Sequence, residues 1–180
     1  IAVHTTCLSE TIGDDLTSII SKADEEGLIP EGKKVIYCNT PSYSGSHITG
    51  YSNQVTALVK FFSKSTSRKR NVINLNNGWM EPSDQREINR LAKLMEIRTI
   101  MFPDMTDSLD TPLTGKYSMY PKGGTTQEDL VATGDSKFSI GIGHDCTENA
   151  CVKLDEKCHV KYDVVDVPIG LKATDRFIMS

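Results

Sequence analysis

One thiol stands out by its setting. In the stretch Thr5-Thr6-Cys7-Leu8-Ser9-Glu10-Thr11-Ile12-Gly13-Asp14-Asp15, Cys7 follows the apolar run Ile1-Ala2-Val3 and precedes residues with helical periodicity. A cysteine between a strand and the start of a helix lies at the carboxyl end of that strand, where open α/β sheets place their ligands. Thr11 and Asp14 have capping-box spacing, which predicts a helix start at or just after this segment. Cys7 is then expected just before the helix, where the positive end of the dipole favours thiolate over thiol. The plainer reading of a lone cysteine is a small buried hydrophobe. A second polar cluster, Thr40-Pro41-Ser42, closes the run Val35-Ile36-Tyr37-Cys38, and a third, Asn76-Asn77-Gly78-Trp79, closes Val72-Ile73-Asn74-Leu75. Strand ends of a parallel sheet converge on one rim, so Cys7 and Ser42 are expected to share a site.

The other chemistry-bearing patterns are weaker. Gly45 and Gly50 have phosphate-loop spacing, but Tyr51-Ser52 stands where such a loop requires Lys-Ser/Thr. Gly141-Ile142-Gly143 lacks the third glycine of a dinucleotide fingerprint and follows a late strand. A Cys7–His47 nucleophilic pair has no orienting third group in the sequence. His4, His144 and His159 read as surface or satisfied core histidines. Cys146-x4-Cys151-x6-Cys158 matches neither common zinc nor ferredoxin spacings, so unligated thiols are expected there.

The elements that must position these residues alternate. Leu16, Ile19, Ile20 and Ala23 predict a helix ended by Gly27, and Val55, Leu58, Val59 and Phe62 predict a second. Pro82-Ser83-Asp84 opens a third, with Ile88, Leu91, Ala92 and Met95 inward, before strand Thr99–Phe102. From Met105 to Gly124 the periodicity fails, and Pro112, Gly115 and Pro121 mark a long excursion. Thr125 and Glu128 predict a short helix cap. Phe138–Ile142 and Tyr162–Val167 read as strands, Asn149–Lys157 as a helix, and a last helix begins near Thr174. Strand–helix alternation predicts an α/β fold, a Rossmann-like three-layer domain with a mainly parallel sheet and helices on both faces.

With 180 residues, 38% hydrophobic and 24% charged, the chain has the makings of one soluble domain with a substantial core. A net charge of −4 without a basic block argues against nucleic acid, and no apolar run approaches a membrane span. Five cysteines without a disulfide-scaffold pattern read as reduced thiols in a cytoplasmic protein. Opening on Ile1 within a strand and closing in a helical pattern, the chain reads as residues 1–180 of a longer polypeptide. It is expected to be a single α/β segment whose end, about 160–180, leads into a next domain.

Four ordered blocks carry a resemblance: Thr5 to Asp15, Thr40 to Gly50, Met119-Tyr120 with Gly123-Gly124-Thr125-Thr126-Gln127-Glu128, and Pro168-Ile169-Gly170. Together they are similar to the β chains of nitrogenase molybdenum–iron proteins, over essentially the whole chain. The resemblance implies that Cys7 ligates an [8Fe-7S] P-cluster shared with an α chain, and that Ser42 coordinates cluster iron when the cluster is oxidised. It further implies an α2β2 assembly that relays electrons from an iron protein to a molybdenum–iron cofactor, held by the α chain, where dinitrogen is reduced. The remaining β-chain cysteine ligands are expected outside residues 1–180, so the segment by itself is not expected to be active. Asn39 stands where many relatives have histidine. A cofactor-assembly scaffold, or the β chain of a vanadium or iron-only nitrogenase, is the competing assignment. Ser42 within the intact Thr-Pro-Ser-Tyr-Ser-Gly-Ser-His block favours the catalytic subunit.

Overall fold

In the computed structural model, described for residues 1–119 and 122–180, every strand pairing is parallel, but the strands divide between two sheets. β1 (Ala2–His4) pairs with β2 (Ile36–Cys38), in the register Ala2↔Ile36, Val3↔Tyr37, His4↔Cys38. The larger sheet has the order β4-β3-β5-β6, from β3 (Arg70–Asn76), β4 (Thr99–Phe102), β5 (Ser136–Ile142) and β6 (Lys161–Val165). The single rim expected of one continuous sheet is therefore two rims. That of β1 and β2 carries Cys7 and Ser42, and that of the larger sheet carries Asn76 to Trp79.

Alternation along the strands of the larger sheet explains its three layers. On one face Ile100 and Phe102 of β4 join Val55 and Val59 of α3 (His47–Phe62), Ala132 of α5 (Gln127–Ala132), and Ala150, Leu154 and Cys158 of α6 (His144–Cys158) in one apolar core. On the other face Met101, between them in sequence, joins Leu75, Ile140 and Ile142 with Ile88 of α4 (Pro82–Leu94) and Phe177 of α7 (Leu171–Met179). The Rossmann-like α/β class read from the sequence is the fold observed. Met95, expected to face inward, instead ends α4 and is exposed.

Several boundaries differ from the sequence reading, each for a local reason. The helix expected after Cys7 is two helices, α1 (Cys7–Ile12) and α2 (Leu16–Glu25). Gly13, at φ 79°, closes α1 in the left-handed conformation open to glycine. α6 begins five residues before the expected Asn149 because its N-cap, Gly143, offers no capping side chain to read. α7 starts at Leu171 after Gly170 for the same reason. The cap of α5 falls one residue later than expected, with the Thr126 side chain accepting from the Asp129 N–H. The 105–124 excursion has no helix or strand among its described residues. It is pinned by Arg86, which donates to Asp107 at 3.1 Å and also to Asp110, and by Gln85, whose buried amide oxygen accepts from the Met105 N–H at 2.9 Å. Tyr120 of the Met119-Tyr120 block and Pro121 of the excursion lie outside the described residues. Among the described residues no helix is long and apolar enough to cross a membrane.

The centre of the sheet is polar where hydropathy alone predicts an apolar strand. Asn74, fully buried, donates to the Thr133 carbonyl and the Ser139 hydroxyl, each at 2.9 Å, and accepts from the Ser136 hydroxyl at 2.7 Å. Its amide thus staples β3 to β5 and to the turn entering β5. Each such bond contributes about 1 kcal/mol, and orphaning the buried partners adds desolvation cost. Asn74→Ala is expected to lower the unfolding free energy of the chain by about 3 kcal/mol in a urea titration followed by far-ultraviolet circular dichroism. A loss below about 1 kcal/mol would show that the network contributes little.

Candidate functional site

The last backbone rung between β1 and β2 runs from the Thr5 N–H to the Cys38 carbonyl at 3.2 Å. Beyond it the strands part, and hydroxyl groups take over. The Thr40 N–H donates to Thr5 Oγ1 at 3.0 Å, and Thr40 Oγ1 donates to the Thr5 carbonyl at 3.1 Å. Thr5 is buried and Thr40 half-buried, so this reciprocal pair is partly shielded from water. Immediately after it, Thr6 caps α1 in a capping box with Ser9, and Cys7 is the first residue of the helix. The expected Thr11–Asp14 box does not form. Thr11 Oγ1 donates to the Cys7 carbonyl at 2.7 Å, and Asp15 caps α2.

On the β2 side, extended Pro41 delivers Ser42 into a 3-10 turn, Ser42–Ser44. The two functional candidates then meet as the sequence predicts, with Cys7 Sγ and Ser42 Oγ 2.7 Å apart and the Ser42 N–H donating to Sγ at 3.1 Å. Cys7 is half-buried and Ser42 is exposed. The thiol is held below its ordinary pKa, first by the Ser42 hydroxyl, then by the Ser42 N–H, against a smaller opposing effect of desolvation. The thiolate is thus stabilised relative to an ordinary thiol, chiefly by donors from across the site.

The other four cysteines are buried and free. Desolvation raises the Cys38 and Cys158 thiols, and burial pushes Cys151 up to about 12. Cys146, Cys151 and Cys158 line the buried stripe of α6 as small apolar groups. No cluster of three or more His, Cys, Asp or Glu side chains suited to a metal occurs among the described residues.

Beside Ser42 a cavity of about 210 Å³ is lined by Pro41, Ser44, His47, Thr49 and Asn53 among others. His47 does not pair with Cys7. It opens α3, capped by Ser46, and its ring stands edge-on to Trp79, with centroids 5.3 Å apart. Gly45 precedes this cap and Gly50 lies within α3, so the phosphate-loop spacing is coincidental. Trp79 lies between His47 and Tyr51, which also packs edge-on at 5.3 Å, although it remains 58% exposed. The Tyr51 hydroxyl donates to the Asn77 and Gly78 carbonyls at 2.8 and 3.2 Å, and Asn53 Nδ2 donates to the Asn39 carbonyl at 3.2 Å. α3 thus bolts the loop after β3 to the end of β2. Tyr51 and Asn53 carry no signal in the sequence that marks them for this task.

The thiol assignment has a direct consequence. With its thiolate favoured, Cys7 should be alkylated by iodoacetamide with a midpoint below the ~8.5 of an ordinary cysteine. Ser42→Ala removes the leading cause of the shift and should move the midpoint upward. Mass spectrometry of labelled peptides across pH reads both. A midpoint unchanged by Ser42→Ala would separate the two residues chemically.

Comparison with known proteins places the chain in a family. The family model described as "Nitrogenase component 1 type Oxidoreductase" matches residues 1–180. The nitrogenase molybdenum–iron protein β chain of Clostridium pasteurianum is 50% identical over the whole chain, which spans 39% of that protein. The corresponding β chains of Bradyrhizobium diazoefficiens and Azotobacter vinelandii are 35% and 31% identical, with 36% and 35% of their lengths covered. A solved structure titled "Nitrogenase Cp1 at pH 6.5" superposes with TM-score 0.96 and 50% identity over 99% of this chain and 39% of that one. Another, "Nitrogenase Cp1 at pH 5", gives TM-score 0.63 at 17% identity over 91% of this chain and 29% of that one, a likeness of fold alone. The chain thus spans less than half the length of these relatives, and it belongs to the nitrogenase component 1 type oxidoreductase family.

Proposed function

We propose that residues 1–180 are one α/β segment of a nitrogenase molybdenum–iron protein β chain, with about 160–180 leading into the next domain. In this reading Cys7 and Ser42 form one edge of the site for an [8Fe-7S] P-cluster shared with the α chain. The complete protein is then an α2β2 assembly in the cytoplasm. Held there, the cluster would supply an electron relay from the iron protein to the molybdenum–iron cofactor of the α chain, for reduction of dinitrogen to ammonia. The observation that carries the reading is the 2.7 Å approach of a half-exposed, thiolate-favouring sulfur to a serine oxygen.

The donor set fits one edge of such a site. Thiolate is the protein ligand of iron–sulfur clusters, and Cys7 is the one cysteine among the described residues that is not buried. In this reading the remaining ligands come from outside the segment. The chain's own residues divide the work. Cys7 supplies a permanent anionic ligand. Ser42 donates a hydrogen bond to that sulfur while protonated and offers an oxygen donor once its proton is lost. A hard oxygen ligand suits a more oxidised iron, so the pair can serve two oxidation states with little movement of the backbone. Matches to β chains favour this assignment over a cofactor-assembly scaffold.

The test uses the full-length parent chain coexpressed with its α partner in cells competent for cluster assembly. Cys7→Ala should lower the iron content of the purified complex. Ser42→Ala should keep the iron and change only the electron paramagnetic resonance (EPR) spectrum of the oxidised cluster. If neither substitution affects iron content or spectrum, Cys7 is a structural thiol and the electron-relay reading fails.

A further inference from the structure

We infer that Thr5 and Thr40 are positioning residues, a two-hydroxyl latch that sets the spacing of Cys7 and Ser42; its redox consequence rests on the cluster reading above. The ladder geometry makes the case. In a parallel pair, evenly spaced rungs alternate between the strands. Here they include Ile36 N–H to the Ile1 carbonyl and, at the far end, Thr5 N–H to the Cys38 carbonyl. The next rung in that series would join the Thr40 N–H directly to the Thr5 carbonyl. Instead each of these groups is met by the other residue's hydroxyl. Replacing one direct rung by two hydroxyl-mediated bonds lets the strands part yet keeps both ends tied. The sequence separation of Thr5 and Thr40 is 35, and that of Cys7 and Ser42 is also 35. The latch therefore passes its own register to the functional pair two residues on.

The elements that carry Cys7 and Ser42 do not fix their spacing by themselves. β1 and β2 each have three residues, and two-stranded sheets are marginal alone. Neither α1 nor the Ser42–Ser44 turn contains a buried residue, so packing does not fix them. Buried Thr5 and its partner are the fixed point from which both leave. Both hydroxyls are required, one as acceptor and one as donor. Valine keeps the shape of threonine and supplies neither, whereas serine keeps both.

The experiment compares Thr5→Val, Thr40→Val, Thr5→Ser and Thr40→Ser in the same full-length complex with the α partner, beside Cys7→Ala and Ser42→Ala. The readouts are iron content, the oxidised-state EPR spectrum and hydrogen–deuterium exchange at the Ser42 amide. The valine variants should keep their iron, change the oxidised spectrum in the direction of Ser42→Ala, and speed Ser42 exchange about tenfold. The serine variants should restore the parental behaviour, which a merely structural role for the methyl groups would not allow. Should one valine variant fail to assemble, the other carries the test, because each breaks the latch alone. A parental spectrum with parental Ser42 exchange in an assembled valine variant overturns the latch, as does failure of the serine variants to rescue. If Cys7→Ala and Ser42→Ala leave the cluster unchanged while valine still speeds Ser42 exchange, the latch stands and the cluster assignment falls.

Discussion

The site depends on the register of one short parallel pair. β1 and β2 align His4 with Cys38, and that alignment delivers a thiol and a hydroxyl to the same place from segments far apart in sequence. Shifting either strand by one residue would reverse which side chains face each surface and carry Cys7 away from Ser42. On the β2 side extended Pro41 leads the chain into the Ser42–Ser44 turn, and the ladder stops there. On the β1 side the Thr6 capping box turns the chain into α1. The pairing thus stops where the two donors must emerge.

A three-residue ladder needs support, and α3 provides it. Its N-terminal half touches the site through Asn53 on the Asn39 carbonyl, and it anchors the loop after β3 through Tyr51. Its C-terminal half buries Val55 and Val59 in the core of the larger sheet. At its far end the Lys157 amine donates to the Lys60 carbonyl and to that of Val59, which also accepts from the Ser63 N–H. The larger sheet, stapled by Asn74, is then the rigid body against which the smaller pair is held. The cysteines divide by burial, with Cys38 of β2 buried like those of α6. Those in the packed body, Cys146, Cys151 and Cys158, behave as apolar filler, while Cys7 on the small pair keeps its chemistry.

Much of this was legible in the sequence because it rests on local signals. The apolar stripe of α3, the strand–helix alternation, and the polar ends of β1 and β2 follow from side-chain period and from breakers such as Pro41. The meeting of Cys7 with Ser42 follows once both strands are parallel neighbours. What stayed hidden depends on long-range partners or on missing cues. Gly143 and Gly170 start helices without a capping side chain, so α6 and α7 begin earlier than the sequence marks. The division into two sheets depends on which strands pair, which alternation does not specify. Thr5 and Thr40 are unremarkable strand-end residues until the ladder places them opposite each other, and the Tyr51 anchor joins residues 26 apart.

The central claim is that Cys7 and Ser42 form one edge of a metal site. Iron-edge anomalous diffraction from crystals of the complete complex tests it most directly, because it locates iron independently of any substitution. The account predicts an anomalous peak within bonding distance of Cys7 Sγ, with Ser42 Oγ on the same side of it. Iron present in the crystal but with no peak adjoining either residue would contradict the account.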